Sequence, residues 1–294
     1  MKKIILGTAQ FNGKYGVSNK NKDFNFIEIK KIVNYSIKNN IRSIDTALSY
    51  FSDPKIYELI KTKFSICTKI PSLGKIKDNQ IKLYLKNYVI NLKKVYSKQK
   101  IDSLIFHNPD DFKIKNKKKI RAAIKYLNQL KKNNQIRSIG ASIYTMKDFY
   151  NVLEYFKNYK LDLIQVPISI LNNEFNNIHF IKIISSKKIK VQARSIFLQG
   201  LLLMEKKERP KYFDKWINEF EEWDNLNKLQ KIKISYNYVS KLKFINNIVV
   251  GFFNYDELKF FFKSVKSKNI MTKKIYFNNI RDSKLTNPNL WEIK

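Results

Sequence analysis

Cysteine is almost missing from this chain: Cys67 stands alone among 294 residues. A single thiol excludes disulfides within the chain and points to a reducing compartment. Histidine is nearly as scarce, with only His107 and His179. Two imidazoles and one thiol, at no ligand spacing, give no reason to expect a metal. Long apolar runs are lacking too, and nothing approaches the roughly 20 residues that span a bilayer as a helix. The start, Met1-Lys2-Lys3-Ile4-Ile5-Leu6-Gly7, is basic, but its apolar stretch ends too soon for a secretory signal. These features lead us to expect a cytoplasmic protein with no membrane partner.

Acidic residues are few, 24 against 58 basic ones, for a formal charge of +34. That balance raises nucleic acid as a partner. The arginines, however, are only Arg42, Arg121, Arg137, Arg194, Arg209 and Arg281, and the remaining basic residues are lysines spread along the chain. Arginine is the side chain suited to bidentate phosphate and guanine contacts. A solvated lysine-rich surface is therefore the expected reading, with no nucleic-acid partner. Its field would still draw in anionic ligands such as dinucleotides or nucleotide sugars. The chain has no Gly-x-Gly-x-x-Gly fingerprint and no P-loop, which argues against Rossmann-type and Walker-type nucleotide binding.

What the chain does have is alternation. Short β-rich runs at residues 3–8, 43–46, 64–68, 103–106, 138–141, 163–166, 190–193 and 248–250 are separated by amphipathic stretches. Helices are expected at 26–39, with Ile29, Ile32, Val33 and Ile37 on one face, and at 81–96, 120–132, 146–156 and 257–265. Eight such repeats imply parallel strands joined by right-handed crossovers. An open sheet rarely repeats the unit eight times, so a closed (β/α)8 TIM barrel is expected, filling residues 1–294 as one domain. Between residues 200 and 247 the chain is longer than one helix needs. Phe213, Trp216, Phe220 and Trp223 recur there at helical spacing, as for a helix packing its apolar stripe on the barrel. The last 26 residues are expected to form a C-terminal extension folded over one end.

Asp45, Lys69 and His107 end three consecutive strand candidates, and Tyr50 lies five residues beyond Asp45. Parallel barrels put their active sites at the carboxyl ends of their strands. A free phenol, with pKa about 10, is a sluggish acid–base group. A neighbouring lysine would lower that value, and a buried lysine needs a carboxylate. His107 could then donate to a substrate carbonyl. His179 lies in a polar, loop-like stretch and is expected to be merely exposed. Asn254-Tyr255-Asp256-Glu257 reads as a capping box opening a helix after the eighth strand, where barrels often bind phosphate.

With these motifs in hand, the sequence resembles the aldo-keto reductases over nearly its whole length. The matching segments, in order, are Leu6-Gly7-Thr8-Ala9-Gln10-Phe11, Tyr15-Gly16, Ile44-Asp45-Thr46-Ala47 with Tyr50, Thr68-Lys69 and Phe106-His107-Asn108-Pro109. Ile139-Gly140-Ala141-Ser142, Ile164-Gln165-Val166-Pro167 and Val249-Val250-Gly251 follow. The run from Ala193 to Leu202 is similar to a bacterial branch associated with sugar and surface-polysaccharide pathways. The resemblance implies a reductase of aldehydes or ketones that depends on NAD(P)H, working in reverse as an alcohol dehydrogenase. Its small-molecule substrate would be sugar-derived or anionic, and NADPH is favoured over NADH by family frequency. Tyr50 would be the general acid, tuned by Lys69 and Asp45, with His107 positioning the substrate. Cofactor contacts are implied for Gly7, Thr8, Ser142, Gln165, Arg194, Ser195, Phe197, Gly200, Gly251 and Asn254. Ser142 and Gln165 would hold the nicotinamide carboxamide, and residues 195–200 would wrap the pyrophosphate.

Three positions depart from the family pattern. Ile143 stands where Asn is frequent, and Phe252-Phe253 replace residues that meet a 2′-phosphate. Arg194 replaces an aromatic residue that stacks on the nicotinamide; its guanidinium plane could stack instead, reach an anionic substrate or form a structural salt bridge. Glu257 further disfavours that phosphate, with Lys259 as a compensating charge. A non-catalytic dinucleotide-binding or regulatory protein on the same barrel is the alternative. Substrate choice is expected to lie in the loops at 51–54 and 110–116, the segment after Gly200 and the tail.

Overall fold

The computed structural model describes residues 3–13, 15–18, 25–51, 53–61, 63–97, 100–113, 117–268, 277 and 282–293. Ser52, residues 114–116 and most of 269–281, which belong to loops and tail named above, lie outside the described residues.

Eight parallel strands close into a barrel in chain order, with β8 returning to β1. They are β1 (Lys3–Gly7), β2 (Ser43–Asp45), β3 (Ser65–Ile70), β4 (Ile101–Phe106), β5 (Ile136–Ser142), β6 (Leu163–Pro167), β7 (Lys190–Arg194) and β8 (Asn247–Gly251). The first six crossovers carry α1 (Phe26–Lys38), α2 (Pro54–Ile60), α3 (Ile81–Tyr96), α4 (Lys117–Lys132), α5 (Met146–Tyr155) and α6 (Ile178–Ser186). After β7 come α7 (Glu221–Asp224) and α8 (Lys228–Lys241); α9 (Tyr255–Lys266) follows β8, and α10 (Ser283–Thr286) lies in the tail. This is a (β/α)8 TIM barrel. Among the described residues no helix is long and apolar enough to cross a membrane.

Side chains two apart on a strand share a face, which sorts each strand into an outer and an inner set. Ile44, Ile66, Leu104, Ile139 and Ile164 join the large core formed with the helices. The inner set runs differently: Cys67, Ile105 and Leu163 make a small apolar layer of their own. Two residues further along β3 and β6 come Lys69 and Gln165, so the polar layer sits directly above that plug. Helix α1 buries Ile29, Ile32, Val33 and Ser36, while Ile37 is only half-buried, because position 36 completes the seven-residue repeat from Ile29. His179 is exposed as expected, but on α6 rather than in a loop.

The segment after β7 corrects one expectation. Phe213, Trp216, Phe220 and Trp223 do not share one helix against the barrel. They fall on short 3-10 turns and on α7, and pack with Leu171, Leu201, Leu202 and Leu285 into a second core. The indole N–H groups explain the broken path. Trp223 donates to the Leu202 carbonyl at 2.8 Å and Trp216 to the Asp282 carboxylate at 3.2 Å. The crossover helix is instead α8, which buries Ile232, Ser235, Tyr236 and Val239. The described part of the tail packs on this second core through Leu285 and Trp291. Asn172, just past the carboxyl end of β6, donates to Thr286 and ties the tail to the rim that carries the site.

Candidate active site

Asp45 ends β2, Lys69 lies near the end of β3, and His107 directly follows β4. The Lys69 ammonium donates to Asp45 Oδ1 at 2.5 Å and to the Thr46 carbonyl at 3.3 Å. Lys69 is 4% exposed and Asp45 7%. A charge this deep needs a partner, and each supplies it to the other. Tyr50 sits on a 3-10 turn, Leu48–Tyr50, whose first carbonyl accepts a 3.0 Å hydrogen bond from Tyr57. Its ring meets the His107 imidazole edge to face, with centres 6.1 Å apart, and the Lys69 ammonium is 5.1 Å from the ring centre. All four groups line one cavity of about 470 Å³. That volume falls in the range of about 300–1,000 Å³ usual for small-molecule sites.

Burial decides the protonation states. It pulls Lys69 down, but Asp45, with Tyr50 and Cys67, outweighs it and the amine ends above its ordinary value. Burial pushes the Tyr50 phenol up; Lys69 pulls it down and loses. The expected lowering by lysine is thus present but outweighed, because a phenolate here would give up its hydration. For His107, burial and the neighbouring Lys69 lower the value from 6.5 to about 4. The pocket therefore holds a neutral phenol, a neutral imidazole and a paired ammonium. A neutral phenol is a proton donor.

The inner face continues the polar layer. Gln165 is fully buried and donates from Nε2 to Asp45 Oδ2 at 2.5 Å and to Gln192 Oε1 at 2.9 Å. A carboxylate only accepts, so the amide orientation is forced. Its Oε1 is buried and has no partner among the described residues. Ser142, 3% exposed, lines the same cavity. An orphaned amide oxygen beside a hydroxyl is a fitting receptor for a carboxamide, as a nicotinamide would present. Thr8 also lines the cavity, but its hydroxyl is spent on the Asp45 carbonyl at 3.1 Å. Ile143 is fully buried and outside the lining; its carbonyl accepts from Arg194 at 3.1 Å.

Gly7, Arg194, Ser195, Phe197, Gly200 and Gly251 line the cavity as well. The turn after β7 is strained: Ser195, Leu198 and Gln199 have φ of 59°, 49° and 54°, and Gly200 follows at 95°. Such left-handed backbone in side-chain-bearing residues marks a loop held by its surroundings. One clamp is visible, since Val17 donates to the Gln199 carbonyl at 3.1 Å. At Gly251 the Gln10 carboxamide passes so close that any Cβ would collide with it.

Asn254 does not join the cavity. Its side chain caps α9 by accepting from Glu257 N at 2.9 Å. Glu257 reaches back to Phe253 N at 2.9 Å, one residue earlier than a capping box requires. Tyr255 N donates to Glu28 of α1 at 2.9 Å. Three amides at this helix end are thus taken by side chains, two of them by carboxylates, which corrects the expectation of a phosphate-binding end. Lys259 lies 3.9 Å from Asp256 and over the Tyr255 ring, and is not among the lining residues. Three participants were missed in the sequence. Tyr15 and Tyr144 line the cavity, and Gln192 supports Gln165. For Gln192 a signal existed, since it lies two residues before Arg194 on β7.

The sequence model of the Aldo/keto reductase family matches residues 3–275. The chain belongs to this family of oxidoreductases. Among solved structures, an aldo-keto reductase from Bacillus halodurans is similar at 16% identity, with a TM-score of 0.65 and 95% of each chain covered. A glycerol dehydrogenase from Gluconobacter oxydans is similar at 16% identity and a TM-score of 0.63, covering 92% of this chain and 88% of its own. At such identities the likeness speaks for the fold. No protein of curated function matches the chain.

Proposed function

We propose that the protein reduces the carbonyl group of a small, sugar-derived aldehyde or ketone to an alcohol with NAD(P)H. The observation that carries this reading is the meeting of Tyr50, Lys69, Asp45 and His107 in one cavity with the orphaned Gln165 oxygen. When bound, the reduced nicotinamide supplies the hydride to the carbonyl carbon. Gln165 Oε1 and Ser142 would hold its carboxamide, and the strained turn at 195–200 would hold the pyrophosphate. Tyr50 gives its proton to the carbonyl oxygen as that oxygen gains charge. Lys69 stabilises the phenolate left behind, and Asp45 keeps the ammonium affordable in the interior. His107, neutral, donates one hydrogen bond that orients the carbonyl. Solvent then returns the proton to Tyr50, so one carbonyl, one NAD(P)H and one proton give one alcohol and NAD(P)⁺.

NADPH was the expectation from family frequency. Glu257 of α9, next to the Phe252-Phe253 pair, lines the cavity. A carboxylate there opposes an added 2′-phosphate, so this reading moves the preference toward NADH.

The test is nicotinamide fluorescence on titration with NADH and NADPH, followed by a panel of sugar-derived aldehydes and ketones. The reading expects quenching on binding and one alcohol formed per cofactor oxidised. Binding without turnover across the panel would favour the non-catalytic alternative.

A further inference from the structure

At the reacting end of the cavity, the charge of Arg194 has no ion-pair partner among the described residues. Arg194 ends β7 at the rim, with its guanidinium carbon 4.3 Å from the centre of the Tyr144 ring. Nη2 donates to the Ile143 carbonyl at 3.1 Å and Nη1 reaches the Ser195 hydroxyl at 3.4 Å. Nε is buried and has no hydrogen-bond partner among the described residues. No carboxylate of those residues lies within ion-pair distance, whereas Lys69 in the same cavity is fully paired with Asp45. The guanidinium of Arg209, by contrast, is paired with Asp224. Arg194 also belongs to the reacting end, because its charge acts on Tyr15, Tyr50 and His107. The Tyr15 phenol lines the cavity nearby and donates to none of the described residues.

A half-buried guanidinium braced by one ring, one carbonyl and one hydroxyl, with no counter-ion among the described residues, is open to a negative partner from a ligand. We infer that Arg194 is a substrate-selecting residue that binds an oxyanion, carboxylate or phosphate, carried by the carbonyl substrate a few bonds from its reactive carbon. Tyr15 supplies a second donor to the same group. This rests on the carbonyl-reductase reading and adds the charge of the substrate to it.

The test compares matched pairs: succinic semialdehyde with butanal for a carboxylate, and glyceraldehyde 3-phosphate with glyceraldehyde for a phosphate. In the wild type one anionic member is expected to exceed its neutral partner in kcat/KM by roughly 30-fold, the size of one charge-assisted pair of hydrogen bonds. Arg194→Gln should collapse that ratio, and Arg194→Lys should retain part of it. A readout free of turnover is calorimetric titration with 4-hydroxybutanoate and with glycerol 3-phosphate. The matching anion should bind the wild type and Tyr50→Phe alike and lose at least about tenfold in affinity in Arg194→Gln. If the wild type shows no anionic preference and binds neither anion, the inference is overturned. It is equally overturned if Arg194→Gln weakens NAD(P)H binding while the substrate ratio stands, since the guanidinium then serves the dinucleotide. Anion binding by a wild type that turns over no carbonyl would sink the reductase reading and leave the anion site standing.

Discussion

Gln165 donates to Asp45 Oδ2 at 2.5 Å, while Lys69 holds Oδ1 of the same carboxylate. The group that neutralises the lysine is thereby gripped on both oxygens, by strands on different sides of the barrel. Gln165→Met, similar in volume, removes one grip and leaves a buried acceptor unpaired. We expect a loss of about 1–3 kcal/mol in urea unfolding, together with weaker NAD(P)H binding.

The Asp45–Lys69 pair makes a sharper prediction. Lys69→Met leaves a buried carboxylate without its counter-ion, at a cost of about 3–5 kcal/mol in stability. Adding Asp45→Asn removes the stranded charge, so the double variant should recover much of that stability. Activity should not recover in either variant, since no ammonium is left to stabilise a Tyr50 phenolate. Urea midpoints of the two single variants and the double variant, set beside their kcat values, check both halves.

His107 carries the pH dependence. Its value falls from 6.5 to about 4 on folding. As pH drops through that window the unfolded chain takes up the proton first, so stability declines between about 6.5 and 4 and is unaffected by this group above it. The rate of reduction should show no His107 ionisation near neutrality. With only two histidines in the chain, NMR titration is direct. The His107 ring signal should stay flat from pH 8 to 5 and shift only near pH 4.

The end of the cavity at α9 predicts a cofactor effect. Glu257→Gln removes one of the carboxylates that line the cavity. The ratio of NADPH to NADH affinity should rise by about three- to tenfold, the yield of one partly solvated charge contact. Parallel fluorescence titrations measure it, and an unchanged ratio would show that Glu257 does not meet the 2′ position.

Much of the barrel could be read from the chain because strand ends coincide with changes of residue type. Asp45, Lys69 and His107 each break an apolar run where the strand meets the rim, and the observed strands match the expected ones to within a few residues. The period of two would also have found Gln192. Residues 211–226 were misread because 3-10 turns bring positions three apart together, much as a helix does, so Phe213 and Trp216 mimic a helical stripe. The Glu28–Tyr255 contact could not be read at all, since its partners lie 227 residues apart and no local pattern links them. Nor does a sequence show which arginine lacks a carboxylate; Arg194 and Arg209 look alike until their neighbours are placed.

The proposed reaction stands on the Tyr50 phenol as proton donor. Its most direct test is Tyr50→Phe, assayed for single-turnover oxidation of bound NAD(P)H by an accepted carbonyl, with cofactor affinity measured on the same sample. The account predicts a rate loss of at least about 100-fold, with cofactor affinity changed little. A variant that reduces the carbonyl at the wild-type rate would contradict it.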